Sequence, residues 1–101
     1  MNIFPVEPKA PREYFAVGAD FGKRLSDVTA ATVTVVDLNN VDVAPASLLN
    51  GDAQCSGAWV YQRINPGVSG ARYEISIFAE GVAQSGYGEG YECKIILAVT
   101  A

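Results

Sequence analysis

Tyr91-Glu92-Cys93-Lys94-Ile95-Ile96-Leu97-Ala98-Val99 is the stretch that decides the fold class. In an extended chain Tyr91, Cys93, Ile95, Leu97 and Val99 point one way, while Glu92, Lys94, Ile96 and Ala98 point the other. A period of two, with charges confined to one side, is the pattern of an antiparallel strand packed on one face and wetted on the other.

The same period recurs upstream. From Ala71 to Glu80, Tyr73, Ile75, Ile77 and Ala79 alternate with Arg72, Glu74, Ser76, Phe78 and Glu80. Between the two strands Gly81 to Gly90 is glycine-rich and reads as a mobile connection. Gly57 to Ile64 predicts a further strand, with Val60, Gln62 and Ile64 opposite Trp59, Tyr61 and Arg63. Asn65-Pro66-Gly67 ends it, because proline fixes one turn dihedral and glycine accepts a positive φ, and Gly70 completes the return.

Ala30 to Asp37 is rich in valine and threonine, whose stiff χ1 favours a strand over a helix. Asn39-Asn40 signals a turn, with a short strand expected at Val41 and Val43. Ala44 to Cys55 reads as loop, broken by Pro45 and Asn50-Gly51, with room for one helical turn over Ala46 to Leu49. Glu13 to Gly18 suits a first strand, and Asp20 to Leu25 a turn with an apolar anchor at either end. Prolines at 5, 8 and 11 make residues 1–12 an extended arm, leaving 13–101 as the domain.

Six to seven short strands, turn signals between them and no amphipathic helix predict an all-β domain, an immunoglobulin-like antiparallel β-sandwich. A length of 101 residues suits one domain, and 50% hydrophobic against 18% charged residues is a globular composition.

Composition also narrows function. The net charge is −4, without the basic footprint that nucleic-acid binding requires. There is no histidine, which removes the usual acid–base group at neutral pH, the commonest metal ligand and every Ser-His or Cys-His pair. The expectation is therefore a non-enzyme with no metal and no cofactor. Met1 to Pro5 lacks the basic and apolar regions of a secretion signal, and no apolar run is long enough to span a membrane, so a cytoplasmic beginning is expected. Cys55 and Cys93 read either as a sheet-to-sheet disulfide beside Trp59 or as two reduced thiols.

Candidate chemistry is thin. Glu74, Glu80, Glu89 and Glu92 sit in polar contexts and read as a solvated face, not as the paired carboxylates of a glycosidase. Gly86-Tyr87-Gly88-Glu89-Gly90 lacks the basic residue and following helix of a phosphate loop and reads as a hairpin tip. Tyr87, Tyr91, Tyr61 and Trp59 are candidates for an aromatic sugar platform, although strand aromatics more often pack in the core; Tyr87 alone sits in a loop. Arg12, Lys23, Arg24 and Arg63 are scattered, as rim charges are.

The order of segments carries a resemblance. Asn65-Pro66-Gly67-Val68-Ser69-Gly70-Ala71-Arg72-Tyr73-Glu74-Ile75 resembles the Gly-Gly-x-x-Gly-x-x-Tyr-x-Val/Ile stretch of small tailed-phage and prophage structural proteins of the immunoglobulin-like neck or fibre–tail adaptor type. Gly88 to Val99 is similar to the family's final glutamate-containing strand, and Tyr14 to Leu25 to its early Tyr-x-x-Asp-Trp-x-x-x-Leu segment. Phe21 stands in place of the tryptophan, Pro66 in place of the first glycine, and the last loop is longer. The resemblance spans Glu13 to Val99. It implies a virion component, assembled in the bacterial host cytoplasm as a homo-oligomeric ring at the head–tail joint. Its partners would be other neck, tail or fibre proteins, with no role for nucleic acid or membrane. The contacts expected are Phe4 and Val6 of the arm, Asn65, Pro66, Gly67 and Gly70 of the turn, and Tyr87 of the glycine-rich loop. The rival reading is an immunoglobulin-like module that binds carbohydrate or a cell surface.

Overall fold

A computed structural model describes residues 6–100. Seven strands run in the order β1 (Val6–Lys9), β2 (Ala16–Asp20), β3 (Leu25–Asp37), β4 (Gln54–Ser56), β5 (Trp59–Arg63), β6 (Arg72–Ala83) and β7 (Gly88–Val99), with one 3-10 turn at Pro45–Leu48. They form two sheets, β1-β7-β6-β3 and β2-β5-β4. All pairings are antiparallel except β1, which runs parallel to β7.

The chain is therefore all-β, and the alternation that predicted its strands also builds its core. Tyr73, Ile75, Ile77 and Ala79 of β6 and Ile95, Leu97 and Val99 of β7 are buried, facing Val17 and Ala19 of β2 and Val60 of β5. Each fully buried aliphatic side chain contributes roughly 1.5–3 kcal/mol relative to an exposed one. Gln62 shares that inner face, and its buried amide donates to the carbonyls of Gly51 (3.1 Å) and Arg63 (2.8 Å), tying the loop before β4 to β5. The anchors of the Asp20–Leu25 turn close as expected. Phe21 and Leu25 are buried, and the Phe21 carbonyl accepts from the N–H groups of Arg24 (3.0 Å) and Leu25 (2.8 Å).

Several boundaries differ from the expectation, each for a physical reason. The first domain strand begins at Ala16, because Glu13 is drawn back to cap the Ala10 N–H at 2.8 Å. In the segment expected as an arm, Val6–Lys9 pairs with Ile96–Val99. Val41 and Val43 form no strand, because their loop is organised by a carboxylate described below. The connection expected over Gly81 to Gly90 is mostly strand: β6 runs on to Ala83, β7 starts at Gly88, and only a tight turn lies between. Gly81 is in the sheet because β3 carries register shifts there. A Cβ on Gly81 would collide with the Asp27 carbonyl oxygen, so only glycine lets the bulged strand approach.

Cys55 and Cys93 are both free thiols. Cys55 lies exposed on the edge strand β4 and Cys93 half-buried on β7, so they do not form the sheet-to-sheet bridge.

Candidate functional site

The polar residues converge at one end of the sandwich. Asp37 closes β3 and is buried; its Oδ1 accepts from the N–H groups of Asn39 (3.0 Å) and Arg72 (3.0 Å), its Oδ2 from those of Val41 (2.7 Å) and Asp42 (2.8 Å). Burial alone would raise this carboxyl, but the backbone donors of Asp42, Arg72, Asn39 and Val41 outweigh it and hold it at about 2. It stays ionised and saturated, so it serves as a structural anchor and not as a general acid.

Tyr73 completes the junction. Its hydroxyl donates to Asp42 Oδ2 at 2.6 Å and accepts from the Val68 N–H at 3.0 Å. Burial, followed by the bond to Asp42, pushes its pKa up to about 12. These contacts clamp the loop after β3 onto the turn before β6.

That turn holds most of the contact residues expected from the sequence, and the structure uses Asn65, Gly67 and Gly70 internally. Asn65 donates through Nδ2 to the Ser47 carbonyl (2.9 Å) and through its N–H to that of Leu48 (2.7 Å). Gly67 lies against Tyr73, whose Cε2 would be 2.9 Å from an added Cβ. Gly70 adopts φ +83°, donates to the Val99 carbonyl at 3.1 Å and accepts from Asn39 Nδ2 at 3.0 Å. Pro66 is exposed. Tyr87, 76% exposed, occupies the β6–β7 hairpin tip, at the other end of a strand about 40 Å long. One flat contact therefore does not gather the turn and Tyr87. Val6 opens β1 opposite Ile96, and Phe4 lies outside the described residues.

The carboxylates weighed as catalytic pairs are not gathered: Glu74, Glu80 and Glu92 lie on the outer face of the β1-β7-β6-β3 sheet, and Glu89 lies on the opposite face beside Tyr91. Glu74 and Glu92 lie 3.1 and 3.7 Å from the Lys94 ammonium, and Glu89 accepts from the Tyr91 hydroxyl. Among the described residues no group of three or more potential ligands is arranged to hold a metal. Burial pushes the Cys93 thiol pKa up, which lowers its thiolate content.

Two surfaces stand out that are not explained by internal packing. The first is the free edge of β3. From Val28 to Val36 the strand carries no charge, proline or glycine. At its start the Val28 N–H donates to the Gly57 carbonyl at 2.9 Å; beyond that, no strand of the described residues flanks it on the side away from β6. Ala31, Val33 and Val35 on its inner face are only partly covered, and Val36 is 53% exposed.

The second is the outer face of the β2-β5-β4 sheet. Trp59 and Tyr61 are exposed there, with rings inclined by 9° and centroids 5.8 Å apart. Gly18 leaves the space that Tyr61 fills, since an added Cβ would meet its Cδ1 at 3.0 Å. Of the four aromatics weighed as a platform, the structure brings together these two. Tyr91 is half-buried beneath the Arg24 guanidinium (4.9 Å), and Tyr87 stands alone at its tip. The signal was present in the alternation of Trp59, Tyr61 and Arg63 with the buried Val60 and Gln62. Compared with protein-family models, curated proteins and solved structures, the chain matches none.

Proposed function

We propose that the protein is a structural component of a tailed-phage or prophage virion, a neck or fibre–tail adaptor-like module that acts by protein–protein assembly after synthesis in the bacterial cytoplasm. The observation that carries this reading is the uncharged edge from Val28 to Val36. Unpaired strand groups are a template for another chain, and native domains usually blunt such edges with lysine, proline or a short strand. Here the edge strand is 13 residues long and carries acidic residues only at Asp27 and Asp37.

The immunoglobulin-like part of the reading is supported by connectivity. The third, sixth and seventh strands lie side by side, and the second, fifth and fourth form the facing sheet, as in constant-type immunoglobulin domains. Tyr73, near the start of β6 with its hydroxyl bonded to the backbone of Val68, parallels the tyrosine corner of those domains. The chain departs from them in placing β1 beside β7, and in carrying Trp59 on β5, facing outward.

The charges at the ends of the edge favour a head-to-tail arrangement. Antiparallel pairing of two β3 strands in the register centred on Thr32 would set Asp27 of one copy opposite Asp37 of the other, placing like charges side by side and disfavouring that register. A different element of the neighbouring copy then fills the edge, and such a heterologous contact forms a ring when its rotation closes.

The test is native mass spectrometry of the purified protein, alone and mixed with the virion structural proteins encoded beside its gene. A discrete complex is expected with at least one of them, and Thr34→Lys should abolish it by placing a charge on the edge. A protein that remains monomeric with every candidate would overturn the reading.

A further inference from the structure

We propose that the outer face of the β2-β5-β4 sheet binds a carboxylate-bearing polysaccharide, with a sugar ring packed on the exposed side of the stacked Trp59–Tyr61 pair and an acidic sugar held by Arg63. This face is distinct from the β3 edge, so the proposal does not depend on the assembly reading.

A pyranose ring has an apolar C–H face and a rim of hydroxyl groups. It is recognised by flat aromatic rings flanked by hydrogen-bonding groups in nearly the same plane. The register supplies this arrangement. Gln54 stands opposite Tyr61, and Ser56 opposite Trp59, while Arg63 continues the same face of β5. The Trp59 indole N–H, the hydroxyls of Tyr61 and Ser56 and the Arg63 guanidinium have no hydrogen-bond partner among the described residues, and Arg63 has no counterion there. The aromatic rings therefore sit among polar groups free to serve a ligand.

The composition of the two outer faces separates a sugar from a protein partner. This face has no aliphatic side chain larger than Ala16, whereas the other sheet exposes Val36, Val82 and Phe78 outward, the kind of surface that packs against a protein core. Arg63 decides the charge of the sugar. A guanidinium pairs with a carboxylate through two parallel hydrogen bonds, which a neutral hydroxyl cannot match. The chain's net charge of −4 is felt weakly at this distance, because exposed charges are screened beyond about 8 Å at physiological salt. The acidic residue of the face, Asp20, lies opposite Trp59, four positions along from Arg63, and its Oδ1 already accepts from the Gly22 N–H at 2.8 Å.

The chain contains a single tryptophan, Trp59, so its emission reports directly on the platform. A galacturonate hexamer and a galactose hexamer are titrated against the full chain. The galacturonate hexamer should change the emission saturably and bind more tightly than the neutral one. Arg63→Gln should weaken galacturonate binding by roughly tenfold, the worth of one charge-assisted pair, and leave the neutral hexamer unchanged. Gly18→Val, which displaces the Tyr61 ring while removing no aromatic group, should weaken both, with the far-ultraviolet circular dichroism and melting temperature of each variant confirming that it folds. The absence of a saturable response to either hexamer would overturn the proposal. So would saturable binding that neither variant alters, or loss of binding to a virion protein in these variants with no sugar bound by the parent.

Discussion

Asp37 shows how much one side chain organises. Its carboxylate accepts four backbone N–H groups, three from the loop after β3 and one from the start of β6, a role that a period-two reading of Ala30 to Asp37 records only as the end of a strand. The same bonds explain why Val41 and Val43, β-branched and alternating, form no strand: the amides of Val41 and Asp42 are held by Asp37. Strand propensity was legible; the claim of a carboxylate four and five residues back on those amides was not. In the folded state Asp37 is lowered from 3.8 to about 2, so its contribution is complete above pH 3.8 and is lost as the pH falls through about 2. Asp37→Asn removes the charge and leaves backbone donors poorly matched. It should lower stability in urea at pH 7 by about 2 kcal/mol and flatten the acid limb of the stability profile between pH 3.8 and about 2. An unchanged acid limb would count against this account.

At the scale of elements, the alternation of β5, β6 and β7 was fully legible, down to the inward face of each. The hairpin joining β6 to β7 was not, because glycine reads locally as loop. Gly81 is required by contact with a strand more than fifty residues earlier, and Gly90 by the Phe78 ring, whose Cζ would be 2.6 Å from an added Cβ. A paired substitution separates packing glycines from permissive ones. Gly81→Ala should lower stability by about 3 kcal/mol or more, since backbone must move to admit the Cβ. Gly88→Ala, whose nearest contact would be 3.9 Å, should be neutral or slightly stabilising, because it restricts the unfolded chain. Thermal unfolding of both variants checks the contrast, and equal effects would contradict it.

For the whole molecule, sandwich layering follows from strands with one apolar face each, and that much was contained in the sequence. Which strand ends at an open edge was not, because strand order depends on pairings across the chain. Ala30 to Asp37 read as an ordinary strand; among the described residues β3, which contains it, has a neighbouring strand on one side only. The internal bonds of the 65–70 turn were hidden for the same reason: the turn is tied to the Tyr73–Asp42 junction, and further unsatisfied surface lies on the edge and on the aromatic face. The most direct test of assembly through that edge is amide hydrogen exchange, followed by mass spectrometry, on the free protein and on its complex. Protection should rise in peptides covering residues 28–37 as the complex forms, while the β6–β7 peptides, already paired, change little. Unchanged exchange across 28–37 in a fully formed complex would contradict it.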